Sequence, residues 1–388
     1  MNKHAFTRIR RKLIIKLYSS LTPFRVVSLG FLTYIVIAML FISLPIAQKS
    51  HVSVVDNLFN VVSAMSTTGL TTGCISEMYT VFGNFILLVL MQLGAIGYMT
   101  LTSCLILSRG NKLSNTRIKI LSAEFSLPEG FKMWQFVKHV IIFTTIVELI
   151  GVFFLWKEFS ALHIETPLWS AIFHSVSAFA TAGLSLNATS FEPYKYDIPI
   201  NLTLGSLCYI GAIGFIVPLD VYRRITKQSK EITFTSKVIL TITAIICVFG
   251  TLAGHTGNTL ITAFFQIMAA STTSGFNTVS IGNLAPASLA LMIFVMIIGA
   301  SPSGTGGGIK TTTISALLGI ITSVMRGHPE KITFMNRVIP LNRVFTAVAV
   351  IATYFFILFS SIFLLCITEN HTFLELCFES ASALGTVG

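Results

Sequence analysis

Phe59-Asn-Val-Val-Ser-Ala64-Met-Ser-Thr67-Thr-Gly69 is the stretch on which the reading of this chain turns, because it comes back. Phe173-His-Ser-Val-Ser-Ala178-Phe-Ala-Thr181-Ala-Gly183 repeats its spacing of Phe, Ala, Thr and Gly. So do Phe265, Ala270, Thr273 and Gly275, and again Phe378, Ala383, Thr386 and Gly388. One pattern, F-x4-A-x2-T-x-G, therefore occurs four times, as when one supersecondary unit is used repeatedly. A second element, Leu93-Gly94-Ala95, Ile210-Gly211-Ala212 and Ile298-Gly299-Ala300, follows the first three glycines after about 24 to 28 residues. The unit is larger than the T-x-G.

Around these loops the chain is apolar. Of its 388 residues 53% are hydrophobic and 11% charged, too few polar groups to cover a soluble fold of this size. Apolar stretches at 26–44, 85–107, 137–156, 202–219, 238–252, 289–300 and 344–367 mostly approach the roughly 20 residues that a helix needs to cross hydrocarbon. Seven spanning helices are expected. The first follows the basic run Arg8, Arg10, Arg11, Lys12 and Lys16 and ends at Leu44-Pro45 without a small-residue cleavage site, so it reads as a retained helix. The net charge of +11 does not point to nucleic acid, because the cations carry no interleaved aromatics or binding motif. Cysteines 74, 104, 208, 247, 366 and 377 are dispersed without a CxxC pair, which indicates neither zinc nor a disulfide framework.

The fold class expected is an all-α polytopic membrane protein of four pseudo-repeated helix, pore-loop, helix units around a central pore, the fourth incomplete. The boundaries expected are a basic cytoplasmic N-terminus at 1–25, repeat 1 at 26–110 with its loop near 55–73, and repeat 2 at 111–224 with its loop near 168–187. Repeat 3 covers 225–327 with its loop near 259–279, and repeat 4 covers 328–388, truncated at its T-x-G. Since the chain stops at Gly388, the fourth unit is expected to lack its second spanning helix, as a fragment or part of a longer product. The segment before each T-x-G has about eleven residues and would rise roughly 16 Å, about half a bilayer. Charge supports this topology independently. About 22 of the 26 Lys and Arg fall in the N-terminus and the connections near 108–138, 222–237 and 325–343, which makes those segments, and the N-terminus, cytoplasmic. The four loops then dip from outside.

Irregular backbone at mid-membrane depth is tolerated only where it lines a watery path or is buried in protein. A dehydrated monovalent cation needs oxygens to replace its water, and rings of backbone carbonyls supply them. The carbonyls expected to do so belong to Thr67, Thr68 and Gly69; Thr181, Ala182 and Gly183; Thr273, Ser274 and Gly275; and Thr386, Val387 and Gly388. The competing reading of one T-x-G is a helix C-cap; four in register favour a shared path. Entering from outside, each half-helix also points its partly negative C-terminal end inward, toward a cation.

In the third unit the run Ala300-Ser301-Pro302-Ser303-Gly304-Thr305-Gly306-Gly307-Gly308-Ile309-Lys310 interrupts the expected helix. Without the G-x4-G-K-[ST] spacing in a strand-to-helix context it is not a phosphate loop. An unwound small-residue segment on the cytoplasmic side of the loops is expected to act as an intramembrane gate from Ala300 to Gly308. Lys310 is either an electrostatic barrier to cations or a snorkelling surface residue. Asp56 caps a half-helix or attracts ions. Glu379 is expected to brace the fourth loop, and Glu148 either faces a cavity or is buried and hydrogen-bonded. His174, beside Phe173, has no partner at catalytic spacing, and no paired carboxylates or metal motif suggest an enzyme.

Four such units with one glycine in each loop and a glycine-rich break in the third resemble the Trk/Ktr/HKT superfamily of potassium transporters. Starting near Val26 without two additional N-terminal helices, the chain is most similar to Ktr-type membrane B subunits. The resemblance implies K+ selectivity, since relatives with serine in the first filter, where this chain has Gly69, include Na+ carriers. It also implies a homodimer in the cell membrane with one pore per protomer, docked on a cytosolic ring of nucleotide-binding subunits. No covalent cofactor is expected, K+ being the transported ion and Na+ a candidate modulator. The alternative is a Na+- or H+-coupled potassium symporter, or a Na+-permeable member of the same superfamily.

Overall fold

The computed structural model describes residues 23–97, 133–229, 231–254, 259–328 and 330–388, with residues 100, 103, 106–107, 113 and 118 between 98 and 132. The basic run from Arg8 to Lys16, Cys104 and most of the expected 108–138 connection lie outside the described residues. The chain is a mostly helical polytopic membrane protein. Long apolar helices alternate with short ones: α1 (Pro23–Ile42), then α2 (Val54–Met65), the single turn α3 (Ile75–Met78) and α4 (Val81–Ile96). Next come α5 (Met133–Ala161), α6 (Pro167–Phe179), α7 (Ile198–Ile213) and α8 (Ile216–Ile225). α9 (Phe234–Gly254), α10 (Leu260–Thr272), α11 (Pro286–Ile297) and α12 (Thr311–Met325) follow, then α13 (Leu341–Thr368) and α14 (Phe373–Gly385).

Burial sorts these helices into two kinds. α5, α9 and α13 are long and apolar enough to cross a bilayer, yet little of their apolar stretch is buried in protein, only 17% in α13. Phe356, Phe363 and Ile367 stand out from α13, a surface that hydrocarbon covers and water would not. Two of the short helices, α6 and α10, are the reverse. In α10 every residue from Phe265 to Thr272 is buried, and in α6 every residue from Phe173 to Phe179. Twelve or thirteen residues long, α2, α6, α10 and α14 each rise about 20 Å and stop inside the protein. Each packs against the long helix before it, and α6, α10 and α14 also pack against α4, α7 and α11 respectively, the helices that follow the preceding half-helix. The chain is thereby wound continuously around an interior.

The expected continuous spans over 202–219 and 289–300 are not found. α7 stops at Ile213, Gly214 takes φ +81, and α8 leaves at 88°. α11 stops at Ile297. α4 likewise ends at Ile96 before Gly97 at φ +78. Apolar runs do not reveal such breaks, because the residues on both sides of a left-handed glycine remain equally hydrophobic.

One feature departs from the all-α expectation. Strands β1 (Thr333–Phe334) and β2 (Arg337–Val338) pair antiparallel in the connection before α13, joined through Met335 and Asn336, both at positive φ. Two left-handed central residues make the tight turn that suits strand twist. The Arg337 guanidinium lies 5.4 Å from the Phe234 ring centroid, tying the hairpin to the start of α9.

Asp220, unremarked in the sequence, anchors the turn between α8 and α9. It is 3% exposed and accepts hydrogen bonds from the Thr233 N–H at 3.2 Å, the Ser236 hydroxyl at 2.5 Å and the Thr233 hydroxyl. Asp220→Ala is therefore expected to cost about 2 to 3 kcal/mol, read as a lower unfolding midpoint of the detergent-solubilised protein; an unchanged midpoint would show that this carboxylate holds nothing.

Candidate functional site

The inner ends of α2, α6, α10 and α14 share one backbone construction. At each, the repeated threonine is left-handed, with φ 52° at Thr67, 51° at Thr181, 55° at Thr273 and 53° at Thr386. Its N–H bonds back three residues, to Ala64, Ala178, Ala270 or Ala383, at 3.1 to 3.3 Å. The next N–H bonds back five residues, to Ser63, Ser177, Ala269 or Ser382, at 2.8 to 2.9 Å. This is the Schellman helix end. Threonine, not glycine, occupies its left-handed position, at roughly 1 to 2 kcal/mol for each residue. The helix-cap reading holds at all four ends and does not exclude the shared-path reading, since the cap is what turns the chain there. The glycine two residues on is also at positive φ, between 67° and 106°.

The four turns close on one another. A Cβ on Gly69 would press on the Ala182 carbonyl oxygen, one on Gly183 on that of Ser274, and one on Gly275 on that of Val387. A Cβ on Gly388 would lie 2.8 Å from the Thr68 carbonyl oxygen, which completes the circle. All twelve residues named from the sequence therefore come together, although they span the chain from Thr67 to Gly388. Among the described residues no hydrogen bond reaches the carbonyl oxygens of these turns, Gly388 excepted, which accepts from the Ser382 hydroxyl. Thr181, Thr273 and Ser274 are fully buried and Val387 nearly so, where unpaired acceptors are costly.

The glycine-rich run lies directly against the threonine side of this circle. The Thr67 hydroxyl points at the Thr305 carbonyl at 3.4 Å, the Thr181 and Thr305 hydroxyls meet at 3.1 Å, and the Gly307 N–H donates to the Thr273 hydroxyl at 2.8 Å. The fourth threonine, Thr386, has its hydroxyl where a Gly307 side chain would stand. The run is held from the other side by the broken end of α7. Ser301 N–H bonds the Ala212 carbonyl at 3.0 Å, Thr305 N–H that of Gly211 at 3.1 Å, and Phe215 N–H the Ser303 carbonyl at 3.1 Å. The 88° break at Gly214 thus receives this segment. Lys310 neither snorkels nor stands free, because its ammonium donates to the Gly306 carbonyl.

The other residues singled out separate clearly. Ser53, not Asp56, is the N-cap of α2; its hydroxyl accepts from the Asp56 N–H at 3.1 Å and donates to the Asp56 carboxylate at 2.6 Å. Glu148 is buried and accepts from the Gln92 amide at 2.5 Å, which selects its hydrogen-bonded reading. The Glu379 side chain is exposed and has no hydrogen-bond partner among the described residues, so the expected bracing of the fourth loop is not seen there. Cys74, Cys208, Cys247, Cys366 and Cys377 are free. The second repeated glycine, noticed but given no role from sequence, has one in space. A Cβ at Gly94 would strike the Met65 carbonyl, and one at Gly211 the Phe179 carbonyl, so these glycines let α4 and α7 touch the ends of α2 and α6.

Comparison with known proteins gives concordant results. The profile of the TrkH family, described as a cation transport protein, matches residues 33–245 and 231–388. "Ktr system potassium uptake protein B" of Vibrio alginolyticus is 31% identical over 379 residues, covering 94% of this chain and 83% of that protein. Its namesake in Bacillus subtilis (strain 168) is 32% identical over 382 residues, covering 95% and 85%. "Potassium/sodium uptake protein NtpJ" of Enterococcus hirae is 29% identical, covering 95% and 85%. The crystal structure of the potassium transporter TrkH from Vibrio parahaemolyticus shares the fold, with a TM-score of 0.69 at 21% identity over 92% of this chain and 76% of that one.

Two glycines of α7 test the packing. Gly205→Ala meets only ordinary contacts, the nearest at 3.7 Å, and is expected to be neutral or slightly stabilising, by up to about 1 kcal/mol. Gly211→Ala forces α7 from the α6 terminus and is expected to cost about 1 to 3 kcal/mol, read from thermal unfolding of the two variants side by side.

Proposed function

The chain belongs to the TrkH family of cation transport proteins, and from that premise we propose that it is the potassium-selective translocating subunit of a K+ uptake system. The observation that carries this reading is the closed circle of T-x-G turns with unpartnered, mostly buried carbonyl oxygens. Such oxygens replace the hydration shell of a cation. The filter residues proposed are Thr67, Thr68 and Gly69, Thr181, Ala182 and Gly183, Thr273, Ser274 and Gly275, and Thr386, Val387 and Gly388. Four half-helix C-termini add a partly negative field at the same place without a carboxylate ring. Glycine in all four turns and the names of the Ktr relatives favour K+. No enzymatic step is involved.

The gate proposed is Ala300 to Gly308 with Lys310. Thr305 and Gly307 sit against the filter threonines, so ions leaving the filter meet this segment, and the Lys310 ammonium on Gly306 adds a repelling charge. In this reading the four units span 26–110, 111–224, 225–327 and 328–388, with the N-terminus and the basic connections cytoplasmic in the cell membrane. Relatives named for a Ktr system imply further components. A homodimer on a cytosolic nucleotide-binding ring is the arrangement proposed, with K+ as cargo and Na+ as a modulator. The likeness to a potassium/sodium uptake protein supports a second reading, coupling to Na+ or permeation by it. Reversal potentials under separate K+, Na+ and H+ gradients decide between the two.

Expression in cells lacking K+ uptake is expected to restore growth at low K+, and Gly69→Ser to lower the K+/Na+ flux ratio about tenfold, the equivalent of 1.4 kcal/mol. A ratio unmoved by that substitution in the folded protein would contradict the filter assignment. Deleting Gly304 to Gly308, or replacing Lys310 by Ala, is expected to raise K+ flux; unchanged flux and regulation in both variants would end the gate assignment.

A further inference from the structure

The residue directly after each repeated phenylalanine is polar in all four copies: Asn60, His174, Gln266 and Glu379. Each lies nine positions before its T-x-G glycine. Asn60, His174 and Gln266 are buried, and burying a polar side chain without a partner is unfavourable. Asparagine, neutral histidine, glutamine and glutamate share one capacity, a hydrogen-bond acceptor at the tip of a side chain.

The first two copies use it on the same backbone position, the His174 Nε2 accepting from the Ser185 hydroxyl at 3.1 Å as well. Asn60, 1% exposed, accepts from the Thr72 N–H at 3.3 Å through Oδ1. His174, fully buried, accepts from the Leu186 N–H at 3.2 Å through Nε2. Thr72 and Leu186 are both the third residue past the filter glycine. Since a backbone N–H only donates, Nε2 carries no proton, and the proton sits on Nδ1, which donates to the Ser170 carbonyl at 2.8 Å. The Asn60 amide nitrogen donates to the Tyr79 hydroxyl at 3.1 Å, and that hydroxyl to Asn57 at 2.9 Å. In both units a buried side chain is thus locked at its own helix and grips the strand returning to the outside.

We propose that Asn60 and His174 are positioning residues for ion selectivity. By fixing the backbone three residues beyond Gly69 and Gly183, they hold the carbonyls of the first two turns at the separation that suits a dehydrated K+. Gln266, one methylene longer than Asn60, does not make this bond. Its amide atoms have no partner, and it borders a cavity of about 20 Å³ beside α11, room for one water. For Glu379 the corresponding N–H falls outside this sequence. The inference therefore stands on the first two copies, and it rests on the reading of the T-x-G circle as a filter.

The test compares two polar replacements of similar size. His174→Gln carries an acceptor to the Nε2 position, whereas His174→Asn reaches only that of Nδ1. In proteoliposomes with equal amounts of folded protein, His174→Gln is expected to keep the K+/Na+ flux ratio within about twofold of the unmodified protein, and His174→Asn to lower it about tenfold. In the first unit Asn60→Leu, which leaves the Thr72 N–H without its acceptor, is expected to lower the ratio as well. Equal, undiminished selectivity in His174→Asn or Asn60→Leu overturns the positioning role and leaves the filter standing. An unmodified protein without K+ selectivity overturns both.

Discussion

A lipid bilayer offers nothing to a backbone carbonyl, so a chain that leaves such oxygens unpaired in its buried interior must give them another partner. Around that constraint the remainder of this molecule is arranged. The four helix ends use their own N–H groups to close two bonds each, which keeps the turns rigid while leaving the carbonyls of the T-x-G residues unclaimed except at Gly388. The left-handed threonines cost roughly 1 to 2 kcal/mol apiece, and strain of this kind persists only where the surroundings impose it. Here they are the closure of neighbouring turns, each glycine lying against the carbonyl of the next.

Close approach without side chains is the second theme. Gly94 and Gly211 bring helices onto the ends of their half-helices, and Gly299, Gly304, Gly306 and Gly307 let an irregular strand pass through what little room remains. That strand is not loosely placed. Ser301, Ser303, Thr305 and Gly307 bond to the broken end of α7, the α6 terminus and the third turn. At about 1 kcal/mol net for each such bond, displacing the segment costs several kcal/mol. For the proposed gate, opening consequently needs compensating contacts elsewhere.

The fold and its path were legible in unequal measure. Four T-x-G motifs at a common spacing located the half-helix ends and brought all twelve filter candidates to notice. The cap of α2 was misplaced from Ser53 to Asp56, because both residue types suit a helix start and only the hydrogen bond distinguishes them. The breaks at Gly97 and Gly214 were invisible, since apolar runs continue across them. Asp220 gave no signal at all, being one carboxylate in a basic connection whose partners, Thr233 and Ser236, come into reach only once α8 turns back.

What the amino-acid order determined by itself is local. It set where the chain is helical, which stretches seek lipid, and where a T-x-G ends a half-helix, because periodicity, hydropathy and glycine act within a few residues. Which carbonyl faces which glycine, where the Ala300 to Lys310 run comes to rest, and that Asn60 and His174 hold the strands beyond their own turns were decided by tertiary structure alone. Those contacts join residues more than a hundred positions apart in some cases, as between Thr181 and Thr305. Only the winding of the helices about a common interior brings such atoms within bonding distance.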